Sequence, residues 1–374
     1  MRNVLVTGGA GFIGSHLVRR LRKQGNHVRV LDNLEPQIHG DRADAHFDND
    51  VEFIWADVRD QGSLSDAIQD MDVVVHLAAA VGIGQSMYQI AKYTSVNVGG
   101  TANLLDVLAN ARHGVQKLVI ASSATIYGEC TCHCSTCGTV YPELRSEDQI
   151  KEGKWELLCP RCNEDVRPLP IKEDRPFLGR FIYALNKKAQ EQMALSISRA
   201  YGIPAVVLRF FNVYGPGQSL RNPYTGAIAV FIARLKGGNH PVIIEDGLQT
   251  RDFVSVHDTV LAIELAITKA EANGHVFNVG TGQGTSILGL CHQLQNLYET
   301  GVTPQINRTF RKGDVRHSVA DISRIQSVLG WSPKVTLEEG LREVLIWSQD
   351  QPVEDRFDQA WEEMCTRKLV QTAS

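Results

Sequence analysis

The stretch Asn3-Val4-Leu5-Val6-Thr7-Gly8-Gly9-Ala10-Gly11-Phe12-Ile13-Gly14 begins as an apolar strand and ends in the first turn of an amphipathic helix. Glycines at 8, 11 and 14 stand where strand becomes helix. The first permits a tight turn, the second lets backbone approach a ligand, and the third lets helix pack on strand. The helix start then offers free N–H groups and the positive end of its dipole to a phosphate. A tight turn alone could carry such a triplet. Strand, loop, helix and a second apolar strand, Val28–Asp32, follow in the order a dinucleotide-binding unit requires.

Outward from this loop the same rhythm continues. Asn3–Thr7, Val28–Asp32, Val51–Ala56, Val73–Leu77 and Lys117–Ser122 read as strands apolar enough to be buried on both faces, as in a parallel sheet. Between them Leu17, Val18, Leu21 and Leu104, Leu105, Leu108 recur at helical spacing. The fold expected is α/β: a Rossmann doubly wound parallel sheet, a smaller C-terminal substrate domain, and an insertion. The Rossmann domain is placed at residues 1–128 and 171–211. A Cys-rich insertion takes 129–170, and the substrate domain takes 212–350, with possible return segments to the first. Residues 351–374 read as a surface helix or loose tail.

Composition limits the function classes. The chain has 374 residues, 43 % hydrophobic and 21 % charged, with a net charge of -4. That is ordinary globular composition, without the basic face that nucleic-acid binders carry. No apolar run is long enough to cross a bilayer. No charged-then-apolar leader precedes the first strand, so a cytoplasmic enzyme is expected.

The second strand ends in Asp32-Asn33. A carboxylate there accepts hydrogen bonds from ribose hydroxyls and repels a 2′-phosphate, which favours NAD over NADP; the plainer reading is a turn cap. Asp57, at the end of the next strand, is placed to reach an adenine amino group. Tyr183 and Lys187 stand four residues apart on a predicted helix running from Arg180 to about Tyr201. A phenol beside an ammonium is a candidate general base, since the cation should lower the phenol's pKa. By itself that spacing is common on helices.

In sequence order the chain carries Thr7–Gly14, Asp32, His76-Leu-Ala-Ala79, Asn97, Ser122-Ser-Ala-Thr-Ile-Tyr-Gly128, Tyr183-x-x-x-Lys187, Arg209-Phe-Phe-Asn-Val-Tyr-Gly-Pro-Gly217, Arg251-Asp-Phe-Val254 and Gly313-Asp-Val-Arg316. This set closely resembles the extended short-chain dehydrogenase/reductase family, in its nucleotide-sugar epimerase/dehydratase branch. The resemblance implies NAD contacts at Gly8, Gly11, Phe12, Ile13, Gly14, Asp32, Asn33, Asp57, Val58, Leu77, Ala78, Ala79, Asn97, Tyr183 and Lys187. It implies a catalytic set of Ser123, Thr125, Tyr183 and Lys187. Tyr183 takes the proton of a sugar hydroxyl, Ser123 bonds the same oxygen, and Thr125 assists. Asn212 is expected to contact the nucleotide-diphosphate sugar, with Arg251 and Arg316 gripping its diphosphate through their planar forks. For either arginine a surface salt bridge is the competing reading. The family's pairing helices, matched near Ser86–Ala109 and Arg180–Tyr201, imply a homodimer.

The resemblance also bears on the reaction. Family dehydratases carry an Asp-Glu pair where this chain has Ala124 and Thr125, and decarboxylases usually a Glu at the latter. The expected reaction is 4-epimerisation, by oxidation at C4 and hydride return to the other face. Dehydratase, decarboxylase or net oxidoreductase remain alternatives, as does a non-catalytic, NAD-sensing interaction protein. Asn222-Pro-Tyr-Thr-Gly226, Glu245-Asp-Gly247 and the insertion resemble bacterial dTDP-L-rhamnose 4-epimerase-like enzymes, with UDP-hexose or UDP-uronate epimerases still open. Ala80-Val81 departs from hexose epimerases, which often place Lys before that Val.

Six of the eight cysteines lie between Cys130 and Cys162. Cys134-Ser-Thr-Cys137 and Cys159-Pro-Arg-Cys162 are two knuckles separated by 21 residues, the pattern of a structural zinc ribbon. Redox disulfides are the rival reading. Cys130, Cys132 and His133 are left over as alternative ligands, a second site or free thiols. The insertion is expected near the pocket rim, because it lies between Ser123 and Tyr183.

Overall fold

The computed structural model describes residues 1–40, 50–224 and 226–373. Its centre is a seven-stranded sheet in which every strand pair is parallel. In chain order the strands are β1 (Asn3–Thr7), β2 (His27–Asp32), β3 (Glu52–Trp55), β4 (Val73–His76) and β5 (Lys117–Ser123). Next come three short strands of the insertion, β6 (Thr131–Cys134), β7 (Gly138–Val140) and β8 (Arg167–Leu169), and then β9 (Ala205–Phe210). Across the central sheet the order is β3-β2-β1-β4-β5-β9, closed by Val276–Val279. Strand order reverses between β1 and β4, so the crevice at their carboxyl ends is where such a sheet receives a ligand.

Helices cover both faces. Helix α1 (Phe12–Lys23) buries Leu17, Val18 and Leu21 against β1 and β2. Each such side chain contributes about 1.5–3 kcal/mol on burial. On the opposite face Gly100–Asn110 and Ile182–Tyr201 pack Leu104, Leu108 and Ala194. The turn Ser95–Gly99 before the first of these is π-helical, a form often found at functional positions. The segment after Asn212 alternates between two bodies. Val256–Thr268 and Val276–Val279 return to the main core, while Ala227–Lys236 and Ile287–Tyr298 build a second one.

The insertion is a three-stranded antiparallel sheet, with β6 between β7 and β8. Cys132, Cys134, Val140, Leu157 and Cys159 form its small core together with Tyr127 and Ile171. Residues after 350 are docked. Helix Phe357–Thr366 buries Ala360 and Met364, and Val370–Thr372 pairs antiparallel with Thr309–Arg311. Glu363 of that helix accepts hydrogen bonds from Tyr88 and Tyr224, each 2.9 Å. No helix among the described residues is long and apolar enough to cross a membrane.

Candidate functional site

The glycine loop crosses the carboxyl end of β1. Gly8 adopts φ +70, and a Cβ there would lie 2.6 Å from the Ala78 backbone nitrogen; one at Gly14 would lie 2.2 Å from Gly8 O. Those two positions are closed by the chain itself. Gly11 is different: a Cβ there would approach only Gly8 O, at 3.3 Å, and would otherwise stand in open space. The first turn of α1 carries no side-chain cap and no acidic residue. It therefore presents unpaired N–H groups at an uncrowded concave surface, which suits an anion. Phe12 and Ile13 are half-buried against the core.

Asp32 braces this loop, accepting from Ala10 N–H at 3.0 Å and Leu34 N–H at 2.9 Å. A carboxylate has about four acceptor sites, so two remain for hydroxyls. Asn33 donates to Asp57 at 2.9 Å, and Arg59 forks the same carboxylate at 2.7 and 2.8 Å. The Arg59 bonds hold Asp57 down to about 2, against the opposing cost of its partial burial. Val58 is packed against Gly100. Leu77, Ala78 and Ala79 line the turn after β4. Asn97 pins that turn, accepting from Ala80 N–H at 2.8 Å and donating to Ala80 O at 3.1 Å. Each end of its amide keeps one further bonding position.

His76 stays neutral beneath the site, its pKa pushed down to about 3 by burial with Lys187 nearby. Its Nδ1 hydrogen-bonds Thr7 Oγ1 at 2.7 Å, and its Nε2 lies 3.0 Å from Thr101 Oγ1.

Ser123 ends β5, and the long helix Ile182–Tyr201 brings Tyr183 and Lys187 to it. The Tyr183 N–H donates to Ser86 Oγ at 3.2 Å, fixing the helix start to the loop after β4. Burial pushes the Tyr183 phenol up to about 12, while a hydrogen bond with Ser123 draws it the other way. The Lys187 ammonium lies 5.9 Å from the Tyr183 ring centroid and donates to Ala121 O at 2.9 Å. Burial lowers it to about 8. In this arrangement the two influences on the Tyr183 phenol are its burial and the opposing bond with Ser123. Thr125 donates its N–H and its hydroxyl to Ser123 Oγ at 3.2 and 3.0 Å. These bonds occupy the acceptor side of Ser123 and leave its proton for another oxygen.

A buried network holds this set in place. Glu191 accepts from Ser122 at 2.5 Å and is forked by Arg209 at 2.8 and 2.9 Å. Arg209 also donates to Tyr127 and to Glu173 O, both 2.8 Å, which ties the end of the insertion to β9.

Lys187 has a consequence for stability. Its folded pKa lies below its ordinary 10.5, so the unfolded chain holds the extra proton between about 8 and 10.5. The stability this group contributes is full above 10.5 and is lost as pH falls through about 8. Lys187→Met should raise the ligand-free melting temperature at pH 7, and the gain should vanish toward pH 10.5. Thermal melts of both proteins across that range check it; a gain that does not change with pH would contradict the assignment.

On the substrate side Asn212 donates to Asp252 O at 3.3 Å. Arg251 and Arg311 share Asp314: Arg251 reaches Oδ1 at 3.1 Å, and Arg311 reaches Oδ2 at 2.6 and 3.0 Å. Arg316 is placed otherwise. Its side chain is 0 % exposed and is saturated by Glu156 of the insertion, Glu245 and Asp246. The Arg316 guanidinium is thus compensated by three carboxylates, against the expectation that it is open to a diphosphate. Arg251 is also engaged, its terminal nitrogens donating to Thr250 O, Arg316 O, Val315 O and Asp314. The sequence reading did not single out Arg311, whose side chain is 41 % exposed. The shared Asp314, inside the quoted Gly313–Arg316 motif, was the available signal. Of Asn222–Gly226, Thr225 lies outside the described residues; Tyr224 N–H donates to Asn222 Oδ1 at 3.1 Å.

In the insertion, the sulfurs of Cys134, Cys137, Cys159 and Cys162 all lie within 4.8 Å of one another. Cys134 and Cys162 are 3.5 Å apart, and Cys137 N–H donates to Cys134 Sγ at 3.4 Å, as in a knuckle. Bonds of about 2.3 Å to one zinc place tetrahedral sulfurs about 3.8 Å apart, so the donor set fits that ion. Cys130 and Cys132 form a separate buried pair 3.4 Å apart, and His133 is exposed.

A parallel dinucleotide-type sheet with Ser, Tyr and Lys gathered at its carboxyl edge defines a short-chain dehydrogenase/reductase. The chain belongs to the extended branch of that family, the NAD-dependent nucleotide-sugar epimerases and dehydratases. The NAD dependent epimerase/dehydratase family matches residues 4–149, and the GDP-mannose 4,6 dehydratase family matches 165–344. The chain is 35 % identical to dTDP-L-rhamnose 4-epimerase of Burkholderia thailandensis, over 92 % of this chain and 94 % of that one. Among solved structures it resembles UDP-N-acetylglucosamine 4-epimerase of Methanobrevibacter ruminantium in complex with UDP-N-acetylmuramic acid. That match has TM-score 0.77 and 30 % identity, covering 94 % of this chain and 99 % of the other. It also resembles Thermus thermophilus UDP-glucose 4-epimerase in complex with NAD, with TM-score 0.75, 29 % identity and coverage of 94 % and 100 %.

Proposed function

We propose that the protein is an NAD-dependent nucleotide-sugar 4-epimerase whose substrate is a thymidine- or uridine-diphosphate hexose. The observation that carries this reading is the meeting of Tyr183 with Ser123 at the carboxyl edge of the sheet, with Ala124 and Thr125 following. Bound there, NAD would supply reversible hydride transfer at the sugar carbon. Gly11 and the start of α1 would hold its pyrophosphate, Asp32 its adenosine ribose, and Asp57 with Asn33 the adenine. Tyr183 takes the proton from the C4 hydroxyl and gives it back. Ser123, its acceptor side filled by Thr125, donates to the same oxygen. Lys187 keeps a positive charge beside the phenol as it ionises.

Neither Ala124 nor Thr125 can act as the carboxylate acid or base that eliminating water would require. A site of hydroxyls alone supports reversible oxidation without loss of a group. On the substrate side we assign the diphosphate to Arg251 and Arg311, which share Asp314, and give Asn212 a contact to the sugar-proximal phosphate. In the insertion we assign one structural zinc to the four thiolates, which leave no open position for water. The long helix Ile182–Tyr201 exposes Leu185 and Tyr201, and a homodimer pairing there is consistent with them.

A panel of dTDP-, UDP- and GDP-hexoses, each followed by NMR for its C4 epimer, tests the reading. One sugar should equilibrate with its epimer without net NADH. Accumulation of a 4-keto-6-deoxy sugar, loss of carbon dioxide, or no turnover of any sugar would reject it.

A further inference from the structure

Arg145 has no part in the catalytic set, yet its side chain is 1 % exposed and nearly every donor it has is committed. It forks Glu245, with both bonds 2.9 Å. It also donates to Trp155 O at 2.9 Å, inside the insertion, and to Asp314 O at 3.2 Å. That last bond falls on the residue whose carboxylate Arg251 and Arg311 share. Glu245 is itself unusual: it sits at φ +57, in the left-handed region, and is 2 % exposed. A non-glycine residue held there needs surroundings that over-determine it, and the Arg145 fork supplies them.

We propose that Arg145 is a positioning residue for the diphosphate subsite, holding the Asp314 loop, and with it the Arg251 and Arg311 guanidiniums, in register from the insertion. The proposal rests on the reading of those two arginines as the diphosphate grip. The insertion thereby acquires a defined role, since the segment that carries the four cysteines also presents the side chain that fastens the substrate loop. Buried opposite charges of this kind add little net stability. Their value lies in fixing geometry, and small misplacements at a binding site are costly.

Arg145→Met leaves Glu129 buried without its ion partner, and Glu245 with Arg316 alone, and is expected to unfold part of the chain. The informative variant is therefore the double change Arg145→Met with Glu129→Gln, which neutralises the stranded carboxylate and keeps an acceptor for the Arg316 N–H. It should melt near the wild type and retain its metal content. Even so, it should bind uridine or thymidine diphosphate about ten- to a hundredfold more weakly by calorimetry, because Asp314 O has lost its donor. KM for the nucleotide sugar should rise in step, with kcat within a few-fold. A purely structural role would restore stability and affinity together, and wild-type affinity in the folded double variant overturns the proposal. If that variant does not fold, Arg145→Gln carries the test, since its amide ends two bonds short of the Arg145 Nη2 that reaches both Glu245 and Asp314 O. A folded Arg145→Gln protein with unchanged nucleotide affinity overturns it equally. Failure of the wild type to bind either diphosphate would instead strike at the functional reading beneath.

Discussion

Tyr183→Phe is expected to slow C4 epimerisation by about a thousandfold while nucleotide binding stays near the wild type. The phenyl ring keeps the shape of a side chain that is 8 % exposed, so the helix Ile182–Tyr201 and the Ser86 cap on its start should be undisturbed. Only the oxygen that carries the proton is lost. Its partner Ser123 remains, yet Ser123 receives both Thr125 donors and has no base of its own. Calorimetry with the nucleotide sugar, alongside NMR of the epimer ratio, separates the two effects. A variant that still turns over within tenfold of the wild type would remove Tyr183 from the proton transfer. The rate should also climb with pH below the working value of the phenol, which burial pushes up to about 12 without cofactor.

The second large effect concerns the four cysteines. One zinc per chain should be found by elemental analysis, and a strong chelator should remove it together with the fold of residues 129–170. The segment has short strands, of three or four residues, and a small core; its other fastenings are the ion pairs of Arg145 with Glu245 and of Glu156 with Arg316. Structural zinc binds such sites with an apparent free energy of about 10–16 kcal/mol, much of which is folding free energy. Cys137→Ser should behave like the chelated protein, becoming open to limited proteolysis between β6 and β8 while the central sheet still melts cooperatively. Protein grown with ample zinc yet metal-free, or a Cys134–Cys162 disulfide found by mass spectrometry, would defeat the assignment.

The parallel sheet was legible because its strands are nearly unbroken runs of Val, Leu and Ile, and because Gly8, Gly11 and Gly14 mark one strand-to-helix turn. The candidate catalytic residues were legible through the ordered motifs that carry the family resemblance; spacing alone put Tyr183 and Lys187 on one helix face, which is common on helices. Paired knuckles announced the cysteine cluster through their spacing. What local pattern does not carry is partnership across long separations. Arg316 looked like an exposed phosphate ligand because nothing near it in the chain says that Glu156, 160 residues away, will meet it. Arg145 gave no signal, since a lone arginine in a polar insertion resembles any surface charge. Asn97 stands in a π-helical turn and pins Ala80, neither of which periodicity reveals. The pKa of Tyr183 likewise depends on burial, which spacing to Lys187 cannot express.

The docking of Val370–Thr372 against Thr309–Arg311 sets a timetable for the chain as it is made. Six strands of the central sheet, the glycine loop and the helix bearing Tyr183 are all encoded by residue 210. The strand that bears Arg311 gains its backbone partner only when Val370 appears, 160 residues later. At about 5–20 residues per second, that leaves an interval of roughly 8–30 s on the ribosome. Within it come Val256–Thr268, Val276–Val279 and Trp331, which complete the main core, so that core can close while the Arg311 strand still lacks its partner. The last pairing the chain can make is the one beside the proposed substrate side.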